Sequence, residues 1–347
     1  MYDLNGNLIR GYDIGGNPHS DADQSDAGVV RNHTKTYGSP PASYGTNITD
    51  SYNAFKTSLQ EHPTAIPFFV ISDQHGLGLD LLRYVNDFDV KDKINFIKFQ
   101  LGDYCYDYFT LSAMATLRKE SIGINGYISV SGNHDYKNSV SEFDPSVLKS
   151  SFLQDVSWFA VRFLNSDQLC YTATDLEHGL KLIVVDPYDP NGFISGMAHP
   201  RYNTNTVNWL IQELTNDNGN DILYIQHEPI FATRKSRSEE SESDYGNTTS
   251  LRIRPLILAR KNKERGTYTD TDGVSHSYDF TNCKGDLILS LHGHQHAELF
   301  STNGFTSYAC AHGYSGTFGL IDREAGFLRV WRFHYEEKYD ELDIPLV

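Results

Sequence analysis

Five short apolar segments in this 347-residue chain each lead into an aspartate, asparagine or histidine. An apolar run of about four to eight residues bounded by polar residues is typical of a buried β-strand. The repetition predicts that the ends of several strands bring these side chains to one edge of a sheet. The segments are 66–71, followed by Asp73 and His75; 94–101, followed by Asp103; 127–130, followed by Asn133; 221–226, followed by His227; and 287–292, followed by His294 and His296.

The seven side chains at these ends are typical of a metal site. Carboxylate oxygen and imidazole nitrogen bind divalent metals such as Zn, Mn and Fe, and no thiolate is among them. Side chains alternate in an extended segment, which predicts that Asp73 and His75 project together, as do His294 and His296. A glycine before three of the seven favours a sharp turn out of the strand. Seven ligands exceed one tetrahedral site but fit two metals about 3.5–4 Å apart, the usual device for displacement at phosphorus.

The same residues form an ordered set of motifs: Asp-x-His, Gly-Asp, Gly-Asn-His-Asp, His and Gly-His-x-His. This order resembles the calcineurin-like metallophosphoesterases, from about residue 66 to residue 296 and on to a last sheet near Trp331. A single motif of this kind occurs by chance in many proteins, but five in order, each after an apolar strand, are specific. The resemblance implies an α/β fold, a four-layer α-β-β-α sandwich of two mixed sheets.

The resemblance also implies a cofactor of two divalent metal ions, Mn, Fe or Zn. It assigns three ligands to each ion and one to both: Asp73, His75 and His296 to the first, Asn133, His227 and His294 to the second, and Asp103 to both.

The implied reaction is hydrolysis of a phosphate ester, in which a metal-bound hydroxide attacks phosphorus. His134 would stand beside the metals to stabilise the phosphoryl oxygen or to protonate the leaving group. Asp135 would orient the His134 ring and raise its basicity. Alternatively, His134 only supports its neighbour Asn133.

Four further residues are candidates for contact with the substrate. The stretch from Gly102 to Tyr106 is also similar to the motif of purple acid phosphatases, in which the tyrosine binds ferric iron. Those enzymes lack the first-motif histidine that His75 supplies here, so we expect Tyr106 to line the pocket instead. The other three candidates are His199, Arg201 and Arg234. The alternative for His199 and Arg201 is a plain surface position, which is more common for single residues in polar loops.

The charge of the chain bears on its partners. Forty-five acidic residues against 29 basic ones give a net charge of −16, and an acidic surface repels nucleic acid. We therefore expect a small phosphate ester as substrate, with a phosphodiester favoured because the motifs resemble the bacterial phosphodiesterases. A phosphomonoesterase and a nuclease of the same fold remain alternatives, and the nuclease requires a basic groove.

The ends of the chain and its insertion give the domain prediction. Residues 1–48 are predicted to be an arm or linker, and residues 49–347 the metallophosphoesterase domain, whose first helix is capped by Asp50 or Ser51. The opening 2–7 resembles phage-derived surface or tail-associated proteins of Gram-positive bacteria, so a tail module without activity is the other alternative. The insertion 231–284 is interpreted either as a lid over the metals or as a solvated loop.

Location follows from two observations. The four cysteines show no metal-binding spacing and no disulfide framework. The chain has no basic and apolar opening of signal-peptide length and no apolar run of about 18 residues. These observations predict a cytoplasmic protein without a membrane span; a phage- or cell-surface-associated protein remains the alternative.

Overall fold

A computed structural model describes most of the chain, with several gaps. The described residues are 42–75, 81–104, 124, 126–135, 160–164, 169–194, 197–231, 251–296, 298–310, 313, 315–333 and 340–347. The α-helices within these ranges are α1 (Ala42–Glu61), α2 (Leu81–Asp92), α3 (Thr204–Thr215) and α4 (Arg254–Lys261). Two 3-10 turns are also present, Asn133–Asp135 and Leu251–Ile253.

The described ranges contain more strands than helices. The strands are β1 (Ile66–Ile71), β2 (Ile97–Gln100), β3 (Tyr127–Ser129), β4 (Ala160–Phe163), β5 (Tyr171–Asp175), β6 (Leu180–Val185), β7 (Tyr188–Ile194), β8 (Met197–Pro200), β9 (Asp221–Gln226), β10 (Arg265–Thr269), β11 (Ser275–Asp279), β12 (Leu287–His292), β13 (Leu299–Ser301), β14 (Ser307–Ala309), β15 (Gly316–Asp322), β16 (Phe327–Phe333) and β17 (Asp340–Pro345).

Two large mixed sheets form the centre of the fold. The first has the order β17-β16-β15-β1-β2-β3, and the second has the order β13-β14-β12-β9-β6-β5-β4. In the first sheet β1, β2 and β3 are parallel and β15 to β17 are antiparallel. In the second sheet β6, β9, β12 and β14 are parallel. The parallel strands of each sheet therefore end at a common edge, as the motif spacing predicts.

Strand β1 shows why its sequence is apolar at every position. Phe68 and Val70 lie in the hydrophobic cluster between the two sheets, whereas Phe69 and Ile71 lie in the cluster under α1 and α2. A strand that is buried on both faces reads as a continuous apolar run rather than an alternating one. The same reasoning applies to β6, which is buried along its whole length.

Three hydrophobic clusters separate four layers. The middle cluster lies between the sheets. In the second cluster, Phe55 of α1 and Val85 of α2 pack with Phe318 of the first sheet. In the third, Leu210 of α3 packs with Tyr224 of the second sheet, together with residues of α4. The order is therefore α-β-β-α, and the predicted fold class is confirmed.

Helix α1 begins earlier than the expected cap at Asp50 or Ser51. It starts at Ala42, and Ile48 is buried in the cluster under the helices. Ser51 is no cap, because its hydroxyl donates to the carbonyl oxygen of Trp331 at 3.1 Å. The end of the predicted arm thus forms the first turns of α1. No helix in the described ranges is both long enough and apolar enough to cross a membrane.

The described part of the insertion belongs to the outer layer. Leu256 of α4, Tyr268 of β10 and Phe280 are buried in the same cluster as α3. The strands β10 and β11 form a two-stranded hairpin. Residues 232–250 lie outside the described residues, and a lid over the metal site stays a prediction for them.

Candidate metal centre

The backbone turns sharply where the strands release their polar side chains. Five of the predicted ligands adopt a left-handed φ between 45° and 70°: Asp73, His75, Asp103, His294 and His296. These pairs do not lie in an extended segment, because β1 ends at Ile71 and β12 at His292. Asp73 and His75 nevertheless reach the same group of candidate ligands, as predicted. Residues other than glycine in this conformation cost about 1–2 kcal/mol each and are concentrated at functional sites.

One group of side chains surrounds a first position. Nε2 of His296 lies 3.4 Å from Oδ1 of Asp73 and 3.0 Å from Nε2 of His75. Nε2 of His75 lies 3.9 Å from Oδ2 of Asp103. One ligand atom from each of these four residues lies within 4.8 Å of the others, which is the separation that a shared cation requires.

A second group lies on the other side of Asp103. Nε2 of His227 is 3.2 Å from Oδ2 of Asp103 and 3.3 Å from Nδ1 of His294. That Nδ1 is 3.1 Å from Oδ1 of Asn133. Asp103 is therefore common to both groups. The structure brings together all seven residues that the motifs single out.

The two aspartates each keep one oxygen for the clusters. Oδ2 of Asp73 accepts from the amide of His294 at 2.7 Å and from the hydroxyl of Ser72. Its Oδ1 is buried, and its contact with Nε2 of His296, at 3.4 Å, is too long for a strong hydrogen bond. Oδ1 of Asp103 accepts from the amide of His134 at 2.8 Å. A buried carboxylate oxygen without a strong hydrogen bond fits a cation, since burial without compensation is costly, so the residues present fit two metal ions.

Main-chain contacts orient the ligands. Nδ1 of His227 donates to the carbonyl oxygen of Leu101 at 2.6 Å, which leaves Nε2 facing Asp103. A Cβ atom at Gly132 would lie 2.1 Å from Oδ1 of Asp103, and one at Gly293 would lie 1.8 Å from Oγ of Ser72. These two glycines are thus required by the close approach of the loops.

The electrostatics are those of a site built for positive charge. Burial alone lowers the pKa of His227, but the carboxylates of Asp103 and Asp73 outweigh it and raise the pKa to about 10. Burial raises the pKa of Asp103, but the charge of His227 lowers it below the ordinary value. Burial and the charge of His227 lower the pKa of His294 to about 4. In the metal-free protein, a proton on His227 thus partly balances two buried carboxylates.

His134 lies at the first position, and Asp135 has unexpected partners. The His134 ring meets the His75 ring edge to face, with centroids 4.9 Å apart. The expectation that Asp135 orients the His134 ring stays a prediction. Its Oδ2 accepts from the backbone amides of Gly132 at 2.8 Å and Asp103 at 2.9 Å. Through these contacts, the buried Asp135 carboxylate ties together the two loops that carry Asp103 and Asn133.

Of the four predicted substrate contacts, only Arg201 has a described side chain. The Arg201 guanidinium is partly exposed and donates to Oδ1 of Asp272 at 2.7 Å. His199 belongs to β8, whose Cα atoms come within 8 Å of those of the turn Asn133–Asp135; its side chain is outside the described residues. Tyr106 and Arg234 are also outside them.

The match to known proteins agrees with this geometry. A family model described as calcineurin-like phosphoesterase matches residues 66–298, which is more than half of the chain. The chain belongs to this family. The match spans every residue of the two clusters, so this phosphoesterase is a member of a family of phosphoric ester hydrolases. Its His and Asp clusters are candidate metal-ligand groups.

Two solved structures are similar to this phosphoesterase. The crystal structure of the protein TT1561 of Thermus thermophilus is 10% identical, with a TM-score of 0.43, over 77% of this chain and 98% of the other. The sulfate thiohydrolase SoxB of Thermus thermophilus, in complex with glycerol, is 9% identical, with a TM-score of 0.31, over 77% of this chain and 42% of the other. A search of curated protein sequences found no significant match.

Some of the supporting residues carried no sequence signal. The carbonyl of Leu101 acts through its backbone, which any residue supplies. Ser72 could have been found, since a hydroxyl next to a candidate ligand can hydrogen-bond it. The contacts of Asp135 depend on a residue 32 positions away, which no local pattern predicts.

Proposed function

We propose that this phosphoesterase hydrolyses a small phosphodiester with two divalent metal ions held by the two clusters. The observation that carries the proposal is the position of Asp103. Its Oδ1 is held by a backbone amide, whereas its Oδ2 lies between His227 and His75, so one carboxylate oxygen serves both positions. Imidazole and carboxylate ligands favour Mn, Fe or Zn.

The metals and the protein have separate tasks. When bound, two such ions supply positive charge for the phosphoryl oxygens and activate water as the nucleophile. His134 is partly exposed and lies against His75 at the first position, so a substrate there is within its reach. We assign His134 the transfer of a proton to the leaving-group oxygen. Asp135 holds the Asp103 and Asn133 loops at the spacing that this reaction needs.

The preference for a diester rests on two supports. The motifs Asp-x-His and Gly-Asn-His-Asp resemble the bacterial phosphodiesterases. The net charge of −16 also disfavours a phosphomonoester dianion relative to a singly charged diester. We propose Tyr106, His199, Arg201 and Arg234 as further substrate contacts, and the proximity of β8 to the His134 turn supports the choice of His199.

A single set of measurements tests the proposal. The metal content of the purified protein is determined first, and hydrolysis of bis(p-nitrophenyl) phosphate and p-nitrophenyl phosphate is then followed with added Mn²⁺. We expect two ions per chain and a higher kcat/KM for the diester. A higher kcat/KM for the monoester would overturn the diester preference. A chain that binds no metal and hydrolyses neither ester would support the inactive tail module.

A further inference from the structure

The strand beside the His134 turn belongs to a weak element. Among the described residues, strand β8 pairs with β7 alone, in a two-stranded sheet whose register shifts between Tyr188 and Phe193. An isolated two-stranded hairpin is marginally stable in water. Its base is closed by the amide of Arg201, which donates to the carbonyl oxygen of Pro187 at 2.7 Å. Something outside the hairpin must therefore hold β8 next to the turn Asn133–Asp135.

The segment that follows β8 leads to the start of α3. Because β6 and β9 are parallel and α3 connects them, the N-terminus of α3 lies at the edge where both strands end. His227 follows β9 at this same edge. Thr204, the first residue of α3, is thus on the side of the candidate metal centre.

The turn of the β10–β11 hairpin binds this segment through buried and partly buried groups. The amide and hydroxyl of Thr271 both donate to the carbonyl oxygen of Tyr202, at 3.1 and 2.8 Å. The hydroxyl of Thr204 donates to Oδ2 of Asp270 at 2.8 Å. Only 7% of Asp270 is exposed.

His276 of β11 adds a further contact between the hairpin and α3. Its Nε2 lies 2.7 Å from Oδ2 of Asp270, and its Nδ1 lies 2.8 Å from Oδ1 of Asn208 in α3. The ion pair between Arg201 and Asp272 is solvent-exposed, and such pairs contribute little. The less exposed contacts of Asp270 and Thr271 therefore contribute more to the attachment than this ion pair does.

We propose that the β10–β11 hairpin is a brace that positions β8 against the His134 turn, with Asp270 and Thr271 as the positioning residues. The brace acts through the segment 201–204 and touches neither cluster of candidate ligands in the contacts described above. Its loss displaces β8 and with it the ring that protonates the leaving group. This inference rests on the proposed function of His134, and metal binding does not depend on it.

The dependence of kcat on the leaving group tests the brace. The variants are Asp270→Asn and Thr271→Val, and the matched control is Asp279→Asn, a substitution at the other end of β11 where the carboxylate accepts only from Thr281 in the contacts described. A series of aryl phosphodiesters with leaving groups of increasing pKa is the substrate. Loss of protonation by a displaced acid lowers the rate more when the leaving group is poor. We therefore expect kcat to fall about tenfold for the poorest leaving group and far less for p-nitrophenolate.

A second readout is independent of activity. Amide hydrogen exchange over 197–204 should be faster in both brace variants and unchanged in Asp279→Asn, with two metal ions per chain in all three. Thr271→Val removes one hydroxyl and leaves the charge of the protein unchanged, so it can test the brace if Asp270→Asn does not fold. Equal losses for all leaving groups, or unchanged exchange over 197–204, would overturn the brace. An inactive, metal-free wild-type protein would instead overturn the proposed function.

Discussion

Nε2 of His75 lies 3.0 Å from Nε2 of His296, with Oδ1 of Asp73 3.4 Å from the latter. Burial is the main cause of the lowered pKa of His75, so this ring is neutral near pH 7. Burial also lowers the pKa of His296, but Asp73 outweighs it and raises the pKa. In the metal-free protein, a proton on His296 can occupy the gap between the rings. A metal ion would replace that proton.

Removal of the shared carboxylate should affect both metal positions. We expect Asp103→Asn to lower the metal content below one ion per chain, because each group of ligands loses a member. His296→Ala and His294→Ala should each leave about one ion, since each belongs to one group. Metal content is measured by mass spectrometry after dialysis against Mn²⁺. Equal metal content in all three variants would contradict the shared role of Asp103.

Metal binding should release protons. The carboxylates of Asp103 and Asp73 raise the pKa of His227 to about 10 despite its burial, so this ring carries a proton at pH 8, which a metal at Nε2 must displace. Metal affinity should therefore increase with pH up to about 10. Calorimetric titration with Mn²⁺ at pH 8, in two buffers of different ionisation enthalpy, measures the released protons. The same heat in both buffers would contradict the prediction.

Loss of His134 should lower turnover without loss of metal. The ring contacts His75 but is not a member of either metal-binding group. We expect His134→Ala to lower kcat by about 10²–10⁴-fold for a poor leaving group, and by less for p-nitrophenolate. The control is His178→Ala, because His178 precedes β6 at the opposite edge and pairs with Asp175. Loss of metal in His134→Ala would show that the histidine supports Asn133 instead.

Ser72 should tune the first metal position. Its hydroxyl and the His294 amide hold Oδ2 of Asp73, which leaves Oδ1 directed at the cluster. We expect Ser72→Ala to weaken binding of one of two Mn²⁺ ions by about 10-fold, a typical effect of a residue that orients a ligand. The control Ser51→Ala removes an equally buried hydroxyl in α1, which bonds Trp331 and no candidate ligand in the contacts described. It should leave the affinities for both Mn²⁺ ions unchanged. Calorimetry with the metal-free protein measures them, and equal affinities in Ser72→Ala and wild type would exclude this role.

The contacts of Asp270 should stabilise the fold in a pH-dependent way. Burial raises the pKa of Asp270, but hydrogen bonds from His276, Thr204 and two backbone amides lower it to about 2. A lowered pKa in the folded state adds stability above the unfolded value of about 4, and this is lost as the pH falls towards 2. The difference in the free energy of unfolding between wild type and Asp270→Asn should thus shrink between pH 5 and pH 2.5. Urea denaturation measures it, and a constant difference would contradict the prediction.

Local sequence was sufficient to predict the strands that lead into the candidate ligands, and the structure brings those ligands together. Apolar runs with polar ends predict β1, β9 and β12 and the ligand types after them, because burial and side-chain chemistry are properties of neighbouring residues. The start of α1 was missed, because Ile48 contributes to its buried face only once the sheet is present. The left-handed turns at Asp73 and His75 were also missed, because the backbone amides of both residues donate to a loop distant in sequence, at Gly102 and Asp103.

The amino-acid sequence by itself thus determined the family, the layers and the seven residues that come together at the candidate metal centre. Tertiary structure alone decided how these residues are held. Asp135 bonds an amide 32 positions away, and His227 bonds a carbonyl 126 positions away. Asp270 bonds Thr204, 66 positions before it, across two elements of the outer layer. Such contacts follow from the packing of separate strands and helices, so no periodicity within one segment encodes them.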